Sequence, residues 1–133
     1  MEVAMSEKVA IVTGAGKGIG EAAALKLGQE GILVCCNSVT DSALKVTEKI
    51  NQSGGRAIFV QGDVSKKQDV NRIVTETVNF FKGIDILVNN AGIVIPGTVE
   101  NTTEEAWNLT MDVNVKGTYL LSQAALPFLI ERK

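Results

Sequence analysis

Histidine is absent from this 133-residue sequence, and cysteine, proline and aromatic residues are scarce. Without histidine, the chain cannot supply a Ser-His-Asp or Cys-His nucleophile system. Its two cysteines, Cys35 and Cys36, are adjacent, which excludes a disulfide framework and leaves no spaced ligands for a zinc site. We therefore predict no metal centre.

A strong net charge and long apolar runs are also lacking. The 13 basic and 15 acidic residues give a net charge of −2, and the basic residues are scattered, so we expect no nucleic-acid or anionic membrane surface. No apolar run approaches the roughly 20 residues of a membrane span, and segment 1–8 is too short and too acidic for a signal peptide. These features predict a cytoplasmic protein in which residues 1–133 belong to one domain.

Short apolar runs alternate with helical patterns along the chain. The predicted strands are 8–13, 32–36, 57–61 and 84–88, and the predicted helices between them are 18–30, 41–51 and 67–81. Strands that alternate with helices form a parallel sheet with helices on both faces. The sequence therefore predicts an α/β fold with a doubly wound, Rossmann-type sheet.

The rest of the chain has a helical pattern. A short helix begins after Thr102 or Thr103, either of which can cap it, and a long helix follows over about 113–133. Apolar side chains surround most of the long helix, so we expect it to be covered on more than one face. Because sheets of this class continue with further strands, we predict that the chain is the truncated N-terminal part of a longer domain.

A glycine-rich segment, Thr13-Gly-Ala-Gly-Lys-Gly-Ile-Gly20, lies between the first predicted strand and helix. Its spacing differs from the Gly-x-Gly-x-x-Gly pattern of many dinucleotide-binding loops. Backbone N–H groups at a helix N-terminus attract phosphate, and glycine allows a close approach. The segment therefore predicts pyrophosphate binding, with a tight turn that holds no ligand as the alternative.

Polar tips follow two further strands. Asp63-Val64 follows the third strand and Asn89-Asn-Ala-Gly92 the fourth, so both lie at the sheet edge where doubly wound folds bind ligands. Asp63 could instead cap the next helix, and the two asparagines could simply satisfy the turn backbone.

Taken together with Asn114-Val-Lys-Gly117, these motifs resemble the short-chain dehydrogenase/reductase family, in the style of its 3-oxoacyl-acyl-carrier-protein reductases. The resemblance covers the whole chain. It implies an oxidoreductase that transfers a hydride between a nicotinamide cofactor and a small-molecule carbonyl or alcohol, and a homo-oligomer at full length. A dinucleotide-binding module without catalysis is the alternative.

The resemblance also implies roles for individual residues. The residues that would wrap the pyrophosphate are Gly14, Ala15, Gly16, Lys17, Gly18, Ile19 and Gly20. Asp63 and Val64 would hold the adenine, and Asn90, Ala91 and Gly92 would line the adenosine ribose. Asn114 would belong to a catalytic tetrad, in which it holds a water on a proton relay.

The end of the second strand predicts NADP rather than NAD. NAD-binding sites use a carboxylate about 20 positions after the glycine loop to hold the ribose 2′-hydroxyl. Ser38 stands at that place, and Lys17 adds a positive charge that favours a 2′-phosphate.

The other members of the family's tetrad, a serine and Tyr-x-x-x-Lys, are not found in this chain. The sole tyrosine, Tyr119, has Gln123 four places later, and we predict that it packs within its helix. We expect Cys35 and Cys36 to be core residues on opposite faces of the second strand. The chain by itself is predicted to be inactive.

Overall fold

The computed structural model describes residues 8–132, which contain four strands, five α-helices and one π-helical turn. In chain order these are β1 (Val9–Val12), α1 (Gly18–Gln29), β2 (Leu33–Ser38), α2 (Leu44–Gln52), β3 (Ala57–Gln61), α3 (Lys67–Phe81), β4 (Ile86–Val88), α4 (Glu104–Met111), the π-helical turn (Asp112–Lys116) and α5 (Gly117–Glu131). Residues 1–7 and Lys133 of the predicted domain lie outside the described residues, so the segment 1–8 considered as a signal peptide does too, except for its last residue. Within residues 8–132, no helix is both long enough and apolar enough to span a membrane.

The four strands form one parallel sheet in the order β3-β2-β1-β4. In the middle of the sheet, Ile11 of β1 lies opposite Cys35 of β2 and Leu87 of β4. All of β1 is buried because helices cover both faces of the sheet, which explains its continuous apolar run. The predicted α/β fold with a Rossmann-type parallel sheet is confirmed.

Alternate residues of the strands enter two separate cores. Cys36 belongs to the layer that includes Val46 and Ile50 of α2, whereas Cys35 belongs to the opposite layer, with Ile73 of α3 and Leu121 of α5. The two cysteines therefore point to opposite faces of β2, as predicted from the period of two in a strand.

The second strand and the helix after it begin and end later than predicted. β2 continues to Ser38 rather than ending at residue 36, because its ladder with β3 runs on to the pair Ser38 and Gln61. α2 begins at Leu44 rather than at residue 41. The hydroxyl of Ser38 donates to the Thr40 carbonyl at 2.7 Å and accepts from the Ala43 amide at 3.0 Å, which folds the intervening residues into a turn.

The fourth strand is shorter than predicted. It begins at Ile86 rather than at residue 84. Just before it, the Asp85 carboxylate accepts the backbone N–H of Val9 at 2.8 Å, so a side chain replaces the next backbone acceptor of the ladder. The guanidinium of Arg132 donates to the same carboxylate oxygen at 3.0 Å.

The helical region is divided more finely than predicted. Thr103 caps α4 by accepting the N–H of Ala106 at 3.1 Å, which confirms one of the two predicted caps. The predicted long helix consists of the π-helical turn followed by α5, which continues through Pro127. One face of α5 is buried at Leu121 and Ala125. The prediction that Tyr119 packs in its helix is wrong, because this side chain lies off the buried face and is 58% exposed.

Candidate functional site

The carboxyl ends of the strands open into one cleft of about 330 Å³. The predicted cofactor residues that line it are Gly14, Gly16, Lys17, Ser38, Asp63, Val64, Ala91 and Gly92. Lining residues that the sequence analysis did not single out are Asn37, Val39, Ser42, Gly62, Ile93, Leu109 and Val113. Four separate loops thus meet at one edge of the sheet, where a doubly wound fold places its ligand.

The glycine loop is closely packed beneath and open above. Gly14 and Gly18 have φ angles of 60° and 58°, in the left-handed region that favours glycine. A Cβ on Gly20 would overlap the carbonyl oxygen of Gly14 and the side-chain amide of Asn90. A Cβ on Gly18 would have no atom within 4 Å, so the backbone there borders open space. This shape fits a pyrophosphate that approaches the start of α1.

Two predicted loop residues do not face the cleft, for opposite reasons. Ala15 is fully buried, and its backbone N–H donates to the carbonyl of Asn37 at 2.8 Å. Ile19 is the opposite case, with 82% of its surface exposed at the start of α1. Ala15, Gly18, Ile19, Gly20 and Asn90 are not among the residues that line the cleft.

The loops after β1 and β4 are tied together by hydrogen bonds. The hydroxyl oxygen of Thr13 accepts the N–H groups of Asn90 and Ala91, each at 3.0 Å. The side-chain amide of Asn90 donates to the Gly14 carbonyl at 3.0 Å. Asn89 instead donates to the Ser122 hydroxyl of α5 at 3.2 Å. The Asn90 side chain therefore satisfies turn backbone, one of the two alternatives that the sequence left open, and Thr13 is a structural member of the site that the sequence analysis missed.

Asp63 sits in the turn between β3 and α3. Its Oδ1 accepts both the N–H of Ser65 at 2.9 Å and the hydroxyl of Ser65 at 2.7 Å. The N-cap position of α3 is Lys66, so Asp63 organises the turn before the helix rather than capping the helix itself. Val64 is buried, and a Cβ on Gly117 would lie 2.7 Å from its Cγ2, so glycine permits α5 to approach this turn.

At the end of β2, the side chain of Ser38 is less available to a ligand than the sequence analysis expects. This residue is only 5% exposed, and its hydroxyl is already engaged by Thr40 and Ala43. The residue before it, Asn37, is 1% exposed and donates its amide to the carbonyls of Val60 at 3.0 Å and Gly62 at 3.2 Å. Those two acceptors fix the orientation of the amide, and the Oδ1 of Asn37 is buried with no hydrogen-bond partner. A polar residue inside an apolar strand was the available signal for it.

The family model for short chain dehydrogenases matches residues 8–133. The chain belongs to the short-chain dehydrogenase family. An uncharacterized oxidoreductase of Thermotoga maritima is 48% identical over 120 residues, which are 90% of this chain and 47% of that protein. The NAD-dependent glycerol dehydrogenase of Listeria innocua is 36% identical over 119 residues, which are 90% of this chain and 46% of that enzyme.

Solved structures agree with this assignment. The crystal structure of a 3-ketoacyl-ACP reductase from Sinorhizobium meliloti superposes with a TM-score of 0.91 at 36% identity, and the match covers 93% of this chain and 49% of that one. The chain thus spans about half the length of the relatives that it matches. The family consists of oxidoreductases that use a nicotinamide dinucleotide cofactor, and the open backbone at Gly18 fits such a group.

Asn114, which the sequence analysis predicts to belong to a catalytic tetrad, lies in the π-helical turn. Its Oδ1 accepts the backbone N–H of Ile93 at 2.8 Å, and its Nδ2 donates to the carbonyl of the same residue at 2.9 Å. A Cβ on Gly92 would lie 3.3 Å from the Asn114 Oδ1, so the amide also adjoins the residue before Ile93. Both polar atoms of the Asn114 side chain thus form hydrogen bonds with the backbone of Ile93, at the rim of the cleft.

The cysteines offer no reactive thiol to this dehydrogenase fold. Burial raises the pKa of Cys35 from its ordinary value of 9.0 to about 12, against a smaller lowering by a hydrogen bond with Thr77. Burial likewise raises the pKa of Cys36 to about 11. Both thiols stay protonated at neutral pH, so they are poor nucleophiles. Across residues 8–132, no cluster of three or more Cys, Asp or Glu side chains could hold a metal ion.

Proposed function

We propose that residues 1–133 form the dinucleotide-binding, N-terminal part of an NADP(H)-dependent oxidoreductase. The complete protein would transfer a hydride between the nicotinamide and a small-molecule carbonyl or secondary alcohol. The observation that carries this proposal is the single cleft in which the glycine loop, the β3–α3 turn and the β4–α4 loop meet. The proposal includes a cytoplasmic location and a homo-oligomer at full length.

Different residues around the cleft would contact different parts of the cofactor. The loop from Gly14 to Gly20 would hold the pyrophosphate through its backbone and the positive end of α1. Asp63 and the backbone of Val64 would hold the adenine, and the Asn90–Gly92 segment would border the adenosine ribose. The nicotinamide supplies the hydride chemistry when bound. The chain's own part is to bind and orient it.

Asn114 enters this proposal as a positioning residue. Because its side-chain amide forms hydrogen bonds with both the N–H and the carbonyl of Ile93, Asn114 fixes the course of the β4–α4 loop beside Gly92. A water on a proton relay would then be bound by the backbone that Asn114 shapes rather than by its side-chain amide. The π-helical turn supports a role of this kind, since such turns occur frequently at functional sites.

The preference for NADP rests on charge. Lys17 is exposed at the mouth of the cleft, and neither Ser38 nor Val39 brings a carboxylate that would repel a 2′-phosphate. A charge-assisted contact at an exposed site of this kind should favour NADPH over NADH by about tenfold at low salt, and less as salt rises.

One observation favours NAD as a second candidate. The buried Oδ1 of Asn37 accepts no hydrogen bond, and Asn37 lines the cleft at the end of β2. A ribose 2′-hydroxyl can donate to such an oxygen, whereas a dianionic 2′-phosphate has no proton to offer. The Listeria innocua relative is named as NAD-dependent.

Titration of the protein with NADPH and with NADH decides between these candidates. With NADP as the natural cofactor, Lys17→Gln should weaken NADPH binding and leave NADH binding nearly unchanged. Lys26→Gln on α1 is the matched control, because Lys26 pairs with Glu30 away from the cleft. Val39→Asp is a better probe than a carboxylate at the buried Ser38, since Val39 is 63% exposed, and it should shift the preference toward NADH. Tighter binding of NADH by the parent protein would reject the NADP proposal.

A further inference from the structure

One peptide group at the adenine end of the cleft is held at both of its ends. It joins Gly62 to Asp63, so it carries the carbonyl of the first residue and the N–H of the second. The carbonyl accepts the amide of Asn37 at 3.2 Å, from inside the cleft. The N–H donates to the Oδ2 of Asp69 at 2.8 Å, from α3. Asp69 itself is not among the residues that line the cleft.

Asp69 is tied to its place on α3 by its neighbours. It lies in the first turn of the helix, and its Oδ1 is 3.5 Å from the guanidinium of Arg72. That positive charge offsets the proximity of two carboxylates, Asp63 and Asp69. A Cβ on Gly62 would lie 3.3 Å from the Asp69 Cβ, so the absence of a side chain at Gly62 lets α3 come this close to the turn.

The two hydrogen bonds on the Gly62–Asp63 peptide determine which oxygen of the Asp63 carboxylate is available to a ligand. The N–H of Asp63 is held by Asp69, and its carbonyl accepts the N–H of Lys66 at 3.0 Å, so hydrogen bonds restrain its backbone on both sides. Its Oδ1 is occupied by Ser65, and none of the hydrogen bonds within residues 8–132 uses its Oδ2. One carboxylate oxygen therefore remains to accept a hydrogen bond from a ligand amine.

We propose that Asp69 is a positioning residue of the cofactor site, which acts from outside the cleft by holding the Gly62–Asp63 peptide so that the free oxygen of Asp63 meets the exocyclic amine of the adenine. This inference rests on the proposed function, because it takes the ligand to be an adenine dinucleotide. Asp69 does not line the cleft and does not belong to the glycine motif. We expect it to affect how well the site distinguishes the adenine amine, rather than the affinity for every dinucleotide alike.

The experiment compares a dinucleotide with its deamino form, in which hypoxanthine replaces adenine and the exocyclic amine is lost. Binding of both is measured by calorimetry, with the reduced cofactor that the parent protein binds more tightly. Loss of one hydrogen bond to a carboxylate should weaken binding of the deamino form by about tenfold in the parent. Asp69→Ala should reduce this ratio to about one- to threefold. Asp69→Asn keeps an oxygen that can accept the Asp63 N–H, so it should retain most of the ratio.

Val74→Ala is the control for a merely structural effect. Val74 is buried in the same helix and is not among the side chains nearest to Gly62, so the variant lowers stability while the ratio should stay at the parental value. If Asp69→Ala does not fold, Asp69→Glu displaces the carboxylate by one methylene, and the same fall in the ratio is expected. A parental ratio in the alanine or glutamate variant overturns the inference, as does a parent protein that binds both forms equally. A parent that binds no dinucleotide at all contradicts the proposed function itself.

Discussion

The side-chain amide of Asn90 donates a hydrogen bond to the carbonyl oxygen of Gly14 across 3.0 Å, although the two residues are 76 positions apart in the sequence. Gly20 packs against both groups, where any Cβ would overlap them. The glycine loop therefore does not adopt its shape alone. It is formed against the end of β4, so its geometry depends on the sheet being assembled.

Replacing Asn90 with alanine should loosen the glycine loop. The Gly14 carbonyl would lose its partner, at a cost of about 1 kcal/mol in the free energy of unfolding. Dinucleotide affinity should fall by a further several-fold, because the loop must then be ordered when the ligand binds. Urea unfolding and calorimetric titration measure the two effects.

Asn51→Ala is the matched control for that substitution. Asn51 also makes two hydrogen bonds to backbone, both to Ala57, but it lies away from the cleft. Its loss should reduce stability by a similar amount and leave the affinity unchanged. Equal losses of affinity in the two variants would contradict the bracing role of Asn90.

The sheet and its covering helices were predictable because their signals are local. A run such as Val9–Val12 is apolar at every position, and only a strand covered on both faces by helices accommodates it in a parallel sheet. The glycine loop could be placed for the same reason, since it directly follows that strand. The polar tips at Asp63 and Asn90 could be assigned to one edge because parallel strands end on the same side.

The end of β2 could not be read correctly from the sequence. Ser38 looked available to a ligand, yet its hydroxyl is consumed by a turn that ends at Ala43. The importance of Asn37 depends on the carbonyls of Val60 and Gly62, which belong to a different strand and the turn after it. Likewise, the role of Asp69 depends on which peptide group its helix meets. Such partners are decided by tertiary packing rather than by residue spacing.

The two buried thiols should make the protein less stable at high pH. Their pKa values are raised to about 12 and about 11 in the folded state, compared with an ordinary value of 9.0. Above pH 9, the unfolded chain releases these protons while the folded chain keeps them, so the free energy of unfolding falls as pH rises toward 11–12. The slope approaches about 1.4 kcal/mol per pH unit for each thiol.

Urea unfolding at pH 8, 9.5 and 10.5 measures this effect. The double variant Cys35→Ala/Cys36→Ala keeps every lysine and tyrosine, so the difference between its slope and the parental slope isolates the thiols. The variant should be less stable at pH 8 but lose stability less steeply above pH 9. Parallel pH profiles would show that the thiols do not contribute.

The exposed stripe of α5 should mediate association between copies of the chain. Its members are Val115, just before the helix, and Tyr119, Leu126 and Ile130, which are 52% to 60% exposed and follow a helical spacing. A continuous apolar surface of this kind is typical of an interface. Light scattering at micromolar concentration should give a mass above the 14.1 kDa of one chain, and Leu126→Glu should reduce it.

Asn79→Glu is the control for added charge, since Asn79 is exposed on α3, away from the stripe. It should leave the mass unchanged. If Leu126→Glu also left an assembled parent unchanged, association would have to use another surface, such as the outer edge of β4. A parent that is monomeric at this concentration would reject the interface altogether.

The 133-residue chain alone should not reduce a ketone at an enzymatic rate, even when saturated with cofactor. Hydride delivery to a carbonyl creates an alkoxide, which must be stabilised and protonated as its charge develops. The hydroxyl of Tyr119 accepts a hydrogen bond from the Gln123 amide at 3.1 Å, so its hydrogen-bond neighbour is a neutral amide rather than a charged group. Both amide atoms of Asn114 are bound to Ile93, and an amide is no acid at neutral pH.

Loss of a positioned acid costs roughly 10²- to 10⁴-fold in rate, and loss of the donors that stabilise the alkoxide adds a comparable factor, so turnover should fall below detection. The test follows NADPH absorbance with a panel of ketones, after calorimetry has shown that the cofactor is bound. Tyr119→Phe separates the two explanations of any signal, because it removes the one phenol of the chain and leaves its ring. Turnover that disappears in Tyr119→Phe would make this exposed tyrosine the proton donor and overturn the argument. Turnover that persists in the variant would point to a donor elsewhere in the chain and contradict it equally.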